Sequence, residues 1–355
     1  MLLGNQLLNA LRDLGIHRLC IPRKLKCNYY LPQCIAVNLL LGKYVLCLGG
    51  FGGNVISRIN DLEILSLLSM GALPCDAYLA KPSDCTASLD LLMDIPQKPR
   101  FIVDLSLWNE HTDSEKNELI EQVLTSINTI RRYLWDSNLE LTSTPSEFLE
   151  RIGKFARGFR HGVVIRRDKP IIHDNAVMLD PEGDCVLSEQ LITRISTFVI
   201  GGIVDKERRI KDGTGRLYGL LGLSVPRCRI ELRGSVIGVP DRINKIIEII
   251  LIALLETGSI EEAIIRMMSK RDRVNRLFYE LQRAAYRLRG EGSTVFVIPR
   301  SLINRINWVN ASDKEVELVL RKSHIYVIDD EELSKYLLLG MARPGPLTYK
   351  YVSKA

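Results

Sequence analysis

Between residues 98 and 258, short apolar runs alternate with amphipathic ones, and this constrains the fold more than any other feature of the chain. Phe101-Ile-Val-Asp-Leu-Ser106, Leu139-Glu-Leu-Thr142, Ala176-Val-Met-Leu179, Thr197-Phe-Val-Ile200 and Cys228-Arg-Ile-Glu-Leu232 read as strands. Helical patterns stand between them. One opens at Thr112 or Asp113, either of which can cap it, with Glu115 and Glu118 in its first turns. Others cover Ser146 to Phe155, Thr214 to Leu221 and Val239 to Leu255. Strands alternating with helices predict a parallel sheet covered on both faces, with ligands at the carboxyl ends of its strands.

Three of those strand ends run into turns containing Gly, Pro or Asp: Met178-Leu-Asp-Pro-Glu-Gly-Asp184, Ile200-Gly-Gly-Ile-Val-Asp205 and Arg233-Gly-Ser-Val-Ile-Gly-Val-Pro-Asp241. Glycine lets backbone approach a ligand closely. Ordinary βα turns use the same residues, so any one of these is as well explained by structure. Together they point to a nucleotide-like ligand. Gly49-Gly-Phe-Gly-Gly53 has neither the Lys nor the spacing of a phosphate loop and reads as a turn.

The flanks read differently. Residues 1–97 form a small mixed domain in which Leu2 to Leu14 has helical periodicity. Cys34 to Leu41 and Tyr44 to Leu48 look like strands joined at Gly42-Lys43, and Asp61 to Met70 looks helical. The prolines of Ile95-Pro-Gln-Lys-Pro-Arg100 mark a boundary. Residues 259–355 open with one long helix from Glu261 to Arg289, with Arg266, Lys270, Arg273, Arg283 and Arg287 clustered on one face. Thr294 to Ile298 and His324 to Ile328 then read as strands. The expected domains are therefore 1–97, 98–258 and 259–355.

Charge sorts these regions. Residues 1–97 carry eight basic and seven acidic groups, the middle region balances, and residues 259–355 carry seventeen and twelve. A local basic excess in the last third points to a polyanionic partner. A solvated charged face is the bland reading of the same pattern. The apolar stretch from Cys34 to Gly50 is too short to span a bilayer and contains Lys43, and no secretory segment is evident; an intracellular, cytoplasmic chain is expected. The eight cysteines, Cys20, Cys27, Cys34, Cys47, Cys75, Cys85, Cys185 and Cys228, form no CxxC pair and match no common zinc spacing, so no metal site is expected. They read as buried free thiols in a reducing compartment. Disulfide pairing, as in hot-living organisms, is the alternative.

Residues 98–258 resemble the SPOUT class of RNA methyltransferases, and within it the family that methylates N1 of the purine at position 9 of tRNA. Val199-Ile-Gly-Gly-Ile-Val-Asp-Lys206 carries the resemblance most closely. Asp104-Leu-Ser106, Gln122 and Arg131-Arg132 resemble the family's opening strand and helix, and Val236-Ile-Gly-Val-Pro-Asp-Arg-Ile243 its last cofactor loop. The flanks are similar to those of the archaeal branch. The resemblance implies an α/β fold whose parallel sheet carries a C-terminal trefoil knot, flanked by small N-terminal and C-terminal α+β domains. It implies S-adenosylmethionine held near Leu179, Gly202, Thr214, Cys228, Ile237, Gly238 and Val239, a tRNA partner, and a working monomer. The third loop departs from the family pattern, with Gly238, Val239 and Pro240 where a hydroxyl or Asn-rich stretch is frequent; Asp241 stands where eukaryotic relatives often have His.

Methyl transfer from a sulfonium to nitrogen is an in-line displacement that needs alignment more than acid. Adenine N1 has a free lone pair and becomes cationic on methylation, so a carboxylate would stabilise the developing charge. Guanine N1 must lose a proton, so a carboxylate would act as general base. Asp205 is the leading candidate for either role, with Asp104 and Asp241 behind it as groups that could equally be structural or capping. Arg131, Arg132, Lys206, Arg208 and Arg209, together with Gln122, are expected near the RNA at the reaction centre, and Arg283 and Arg287 farther out on the basic helix. The family's archaeal branch favours adenine, or both purines, as acceptor. A catalytically inactive RNA-binding protein of the same fold is the alternative.

Overall fold

The computed structural model describes residues 2–49, 51–68, 73–172, 175–205, 212–289 and 294–345. The chain divides into two compact units. One comprises Met1–Arg229 and Arg242–Glu256; the other comprises Ile230–Asp241 and Thr257–Ala355.

The first unit begins with α1 (Leu3–Asp13), β1 (Arg18–Ile21), α2 (Leu31–Leu40), β2 (Val45–Leu48), β3 (Gly52–Ile59), β4 (Leu62–Leu68), β5 (Leu73–Pro74) and β6 (Ala77–Ala80). The strands form a mixed sheet in the order β2-β6-β1-β4-β3-β5. Two expectations fail here. Cys34 to Leu40 lies in helix α2, with Leu41 as its C-cap, not in a hairpin strand, and Leu62 to Leu68 is a strand, not a helix. The first segment is apolar on nearly every position, so periodicity could not choose between the two states. The deciding signal was Pro32 in the first turn of α2, where its fixed φ and missing N–H suit a helix start.

The sheet that carries the site follows. Its elements are β7 (Arg100–Asp104), α3 (Asp113–Ile130), β8 (Leu139–Thr142), α4 (Ser146–Phe155), β9 (Val164–Ile165), β10 (Ala176–Leu179), β11 (Cys185–Val186), α5 (Glu189–Ile192), β12 (Thr197–Gly201), α6 (Gly213–Leu221), β13 (Arg227–Arg229) and α7 (Ile243–Ile252). The order is β11-β13-β10-β12-β7-β8-β9, and every pairing is parallel. Its central strands are buried on both faces, which is why they read as continuous apolar runs. Of the two cap residues that the sequence allows, Thr112 caps α3, with a reciprocal bond to Glu115. The helix expected from Val239 starts at Ile243.

The two sheets of this unit are tied by buried polar contacts. The side chain of Gln33, on α2, donates to the carbonyls of Arg131 (3.1 Å) and Leu134 (2.9 Å) and accepts from Gly4 N (2.7 Å). A Cβ on Gly4 would sit 2.6 Å from the backbone nitrogen of Gln33, so α1 and α2 touch through bare backbone.

All eight cysteines are paired, which corrects the expectation of free thiols. Cys20–Cys75, Cys27–Cys34 and Cys47–Cys85 lie in the N-terminal sheet region, and Cys185–Cys228 joins the adjacent strands β11 and β13. Cα–Cα separations of 4.5 to 6.0 Å lie within the range a disulfide spans. Irregular spacing in sequence concealed these pairings, of which Cys185–Cys228 is set by sheet register and Cys27–Cys34 joins a loop to α2. Among the described residues no cluster of His, Cys, Asp or Glu could hold a metal, and no helix is long and apolar enough to cross a membrane.

In the second unit, the expected helix from Glu261 to Arg289 is three elements: α8 (Ile260–Met267), α9 (Lys270–Ala284) and β14 (Tyr286–Arg289). Ser269 breaks it by capping α9 in a reciprocal pair with Asp272. After β14 come β15 (Thr294–Pro299), α10 (Arg300–Arg305), α11 (Asp313–Ser323), β16 (Ile325–Ile328), α12 (Asp330–Leu338) and β17 (Ala342–Pro344). Their sheet runs β16-β15-β14-β17.

Candidate active site

The carboxyl ends of β10, β12 and β7 lie side by side, with Leu179 opposite Ile200 and Gly201 opposite Asp104. The turn after β12 is fixed by its neighbour. Gly202 N donates to the Asp104 carbonyl at 2.8 Å, and a Cβ on Gly202 would sit 2.7 Å from that oxygen and 2.7 Å from the Leu105 side chain. Only glycine lets the two turns approach this closely. Two residues on, Val204 N donates to Nε2 of His111 at 3.0 Å. Nδ1 of the same buried ring lies 3.0 Å from the Leu107 carbonyl, so the pair of contacts defines a neutral imidazole protonated at Nδ1. His111 thereby pins the backbone just before Asp205, whose side chain is exposed. Nothing in the sequence marks His111, a lone histidine just before the helix start at Thr112.

Asp104 is held differently. It is 1% exposed, and its carboxylate accepts from Ser106 N (2.9 Å), Thr142 Oγ1 (2.8 Å) and Ser143 Oγ (2.7 Å). Buried and holding three donors, it organises the strand ends, which argues against a direct part in the chemistry. Asp180, at the end of β10, does similar work. It accepts from Glu182 N (2.9 Å) and from Arg227 Nε (2.7 Å), and this hydrogen bond raises the Arg227 guanidinium above its ordinary pKa. Arg229 then donates to the Gly183 carbonyl at 2.7 Å, closing the first turn over β13.

Of the remaining cofactor candidates in this unit, Leu179 and the disulfide-bonded Cys228 are buried and directly opposed across β10 and β13. Thr214 is half-buried in the first turn of α6, whose cap is Asp212 accepting from Gly215 N at 3.2 Å. Leu217 of α6 packs against Gly201. Leu179, Gly202, Cys228 and the start of α6 therefore share one edge of the parallel sheet.

Two of the expected RNA contacts are structural instead. Arg131 is buried and bonded to both carboxylate oxygens of Asp136, at 2.7 and 2.6 Å, so its charge is already paired. Gln122 is buried, and its Oε1 accepts from Ile243 N at 3.0 Å, capping α7 from the neighbouring helix. Arg132 is half-exposed and pairs with Glu248 at 2.6 Å. Lys206, Arg208 and Arg209 lie outside the described residues.

The third glycine loop belongs to the second unit. Arg233 and Gly234 both have positive φ (51° and 73°) and form a tight turn closed by Leu232 and Ser235. Ile237 offers its carbonyl to Nη1 of Arg276 at 3.1 Å, and Gly238 (φ 76°) lies against the α9 backbone, where a Cβ would meet Arg276 Cβ at 2.6 Å. Arg276 is fully buried, and burial pushes its pKa down. It lies 2.8 Å from Glu280, in an ion pair too poorly directed to be a hydrogen bond, and 5.3 Å from the Trp308 ring. Val239 N closes on the Val236 carbonyl at 3.2 Å. Asp241 is exposed and does not cap α7; the cap position is Arg242. Arg283 is exposed on α9 and Arg287 on β14, so they do not share a helix face.

No protein-family model matches the chain. Individual proteins do. The tRNA (adenine(9)-N1)-methyltransferase of Sulfolobus acidocaldarius is 33% identical over 319 residues, which is 90% of this chain and 98% of that protein. The tRNA (guanine(9)-/adenine(9)-N1)-methyltransferase of Thermococcus kodakarensis is 32% identical over 72% of this chain and 70% of its own length. The crystal structure of Sulfolobus acidocaldarius Trm10 in complex with S-adenosylhomocysteine aligns with a TM-score of 0.69 and 30% identity, covering 91% of this chain and 99% of that one. With that identity over 90% of this chain and 98% of the relative, this chain belongs to the archaeal-type Trm10 family of tRNA (purine-9-N1)-methyltransferases.

Proposed function

We propose that this chain transfers the methyl group of S-adenosylmethionine to N1 of the purine at position 9 of tRNA. The observation that carries the reading is the identity to an adenine-9 methyltransferase across nearly the whole of both chains, with the Gly201-Gly-Ile-Val-Asp205 turn intact at the carboxyl edge of the parallel sheet. Adenine, or both purines, is the acceptor that the two relatives favour.

The residues at that edge fit the methyl donor. Leu179 and Cys228 give it an apolar floor, the backbone around Gly202 is held rigid by the Asp104 carbonyl, and Thr214 adds a half-buried hydroxyl at a helix start. Ile237, Gly238 and Val239 are assigned to the donor from the sequence alone. When bound, S-adenosylmethionine supplies an electrophilic methyl on a sulfonium. The chain's own part is alignment and charge. His111 fixes the backbone at Val204, so the Asp205 carboxylate is delivered from a rigid turn. With adenine that carboxylate steadies the positive charge developing on the ring. With guanine it accepts the N1 proton. Asp104 serves as a positioning carboxylate and Asp241 as a secondary candidate.

The finer architectural reading is that the parallel sheet carries the trefoil knot of the SPOUT class and that the chain works as a monomer; both rest on the resemblance. The decisive test of function is incubation with labelled S-adenosylmethionine and bulk tRNA, followed by identification of the modified nucleoside and its position. N1-methyladenosine or N1-methylguanosine at position 9 is expected. Label at any other position, or none, overturns the proposal.

A further inference from the structure

The N-terminal 97 residues have almost no net charge, so composition gives no reason to expect them to hold a polyanion. The fold sorts those charges. Lys24, Lys26, Lys43 and Lys81, half of the basic residues in that stretch, line one groove of about 650 Å³ together with Arg160, and no acidic side chain lines it. All five are exposed, and none makes an ion pair among the described residues. Other cations of the same unit are neutralised: Arg58 by Glu63, Arg131 by Asp136, and Arg132 and Lys245 by Glu248. The nearest acid in sequence, Asp84, accepts a hydrogen bond from Ser83.

The groove is also held in shape. Lys24 and Lys26 sit on the loop between β1 and α2, which has no regular structure of its own. The Cys27–Cys34 disulfide clamps that loop to α2 at a Cα–Cα distance of 5.9 Å. Lys43 follows the other end of α2 and is fixed by its backbone bond to the Asn38 carbonyl (3.1 Å). Three lysines thus project from two turns that bracket one stapled helix. Asn38 and Lys43 also line a second cavity, a polar one, bordered by residues of α3 and α7. A concave channel with several unpaired cations spread along walls that also include Leu25, Tyr44 and Pro82 suits a chain of phosphates, with the sugars between them, better than a compact anion.

We propose that this groove carries a stretch of the sugar–phosphate backbone of the tRNA substrate, with Lys24, Lys26 and Lys43 as its principal phosphate contacts. The inference rests on the methyltransferase reading above. It assigns an affinity role to a part of the chain remote in sequence from the residues expected at the chemistry.

The test uses the full-length protein with all three lysines changed (Lys24→Glu, Lys26→Glu, Lys43→Glu), and tRNA binding measured across a salt series. The dissociation constant at about 0.1 M salt rises about tenfold or more, and the salt slope falls by about 2 to 3, since each lost phosphate contact removes roughly 0.7–0.9. The KM for tRNA rises while kcat at saturating tRNA and calorimetric affinity for S-adenosylmethionine stay at wild-type values. The Lys→Gln triple variant, which adds no repulsion, moves the same quantities in the same direction by less, and decides the matter if the Glu variant fails to fold. A Cys27→Ser, Cys34→Ser variant keeps every charge and weakens binding about twofold to fivefold by loosening the loop. Unchanged affinity and slope in the Gln variant, with a wild-type protein that methylates tRNA, overturns the proposal. So does polyglutamate binding as tight as that of tRNA with the same lysine dependence, which would make the groove a site for an acidic protein. If the wild type neither retains nor methylates tRNA, it is the functional reading that fails.

Discussion

At the end of β7, the buried carboxylate of Asp104 accepts three hydrogen bonds, and Gly202 is pressed against the carbonyl of the same residue. In the lysine groove, five cations face water with no partner among the described residues. Both regions present charged side chains, yet those charges have opposite structural value. Where the neighbours are backbone, a substitution displaces the turn that carries Asp205 and costs stability and rate together. Where the neighbours are solvent, a substitution costs the fold little and changes only what is attracted from outside.

The comparison can be broken most severely at Gly202. Gly202→Val forces a Cβ into the Asp104 carbonyl and is expected to destabilise the protein by about 1–3 kcal/mol. Single-turnover methylation should become undetectable; a wild-type melting temperature and rate would mean that the turn is not tight. Asp205→Asn comes next. Its single-turnover rate should fall about 10²–10⁴-fold with tRNA affinity retained. If guanine is accepted, its methylation should also lose a rise with pH that adenine methylation lacks. A pH-independent wild-type rate on both would assign Asp205 a purely electrostatic role.

A smaller effect is expected from His111→Phe, which leaves the Val204 N–H buried without its acceptor. The penalty is about 1–3 kcal/mol, with roughly tenfold slower chemistry and unaltered tRNA affinity; a variant slowed only through KM would remove His111 from the positioning role. Asp104→Asn should lower the melting temperature for a loss of about 1–2 kcal/mol, since one oxygen becomes a donor facing other donors, while the rate falls only a few-fold. A loss as large as that of Asp205→Asn would restore Asp104 to the chemistry. The smallest effect is expected from Arg283→Glu with Arg287→Glu. The two project from different elements, so tRNA binding should weaken about twofold to fivefold and the salt slope fall by about 1 to 2. No change would return the C-terminal basic excess to a solvated surface.

The parallel sheet was legible because its central strands are buried on both faces. Val177, Met178, Val199 and Ile200 leave no polar alternation to misread, and each strand stops at a glycine or aspartate. The N-terminal region was less legible for a related reason. Helix α2 is so uniformly apolar that its 3.6-residue period is invisible, and β4 lacks the strict alternation of a half-buried strand. At the site, the glycine turn and Asp205 could be found from local pattern, whereas the commitments of Arg131 and Gln122 could not. Asp136 lies five residues from Arg131, but Ile243 is 121 residues from Gln122. The lysine groove was hidden by arithmetic: a net charge near zero averages over residues that the fold later segregates.

The cysteine pairs have a consequence for the unfolded chain. Three of the four links begin and end within the first 85 residues, with sequence separations of 55, 7 and 38, while residues 86–184 and 229–345 carry none. Each link removes chain entropy worth about 2–4 kcal/mol, less in combination because two of the loops overlap. The oxidised protein therefore denatures to a lopsided ensemble, knotted up by covalent loops at one end and free at the other. Less surface is exposed on unfolding than a 355-residue chain would otherwise offer, so the denaturant dependence of stability is shallower before reduction than after it.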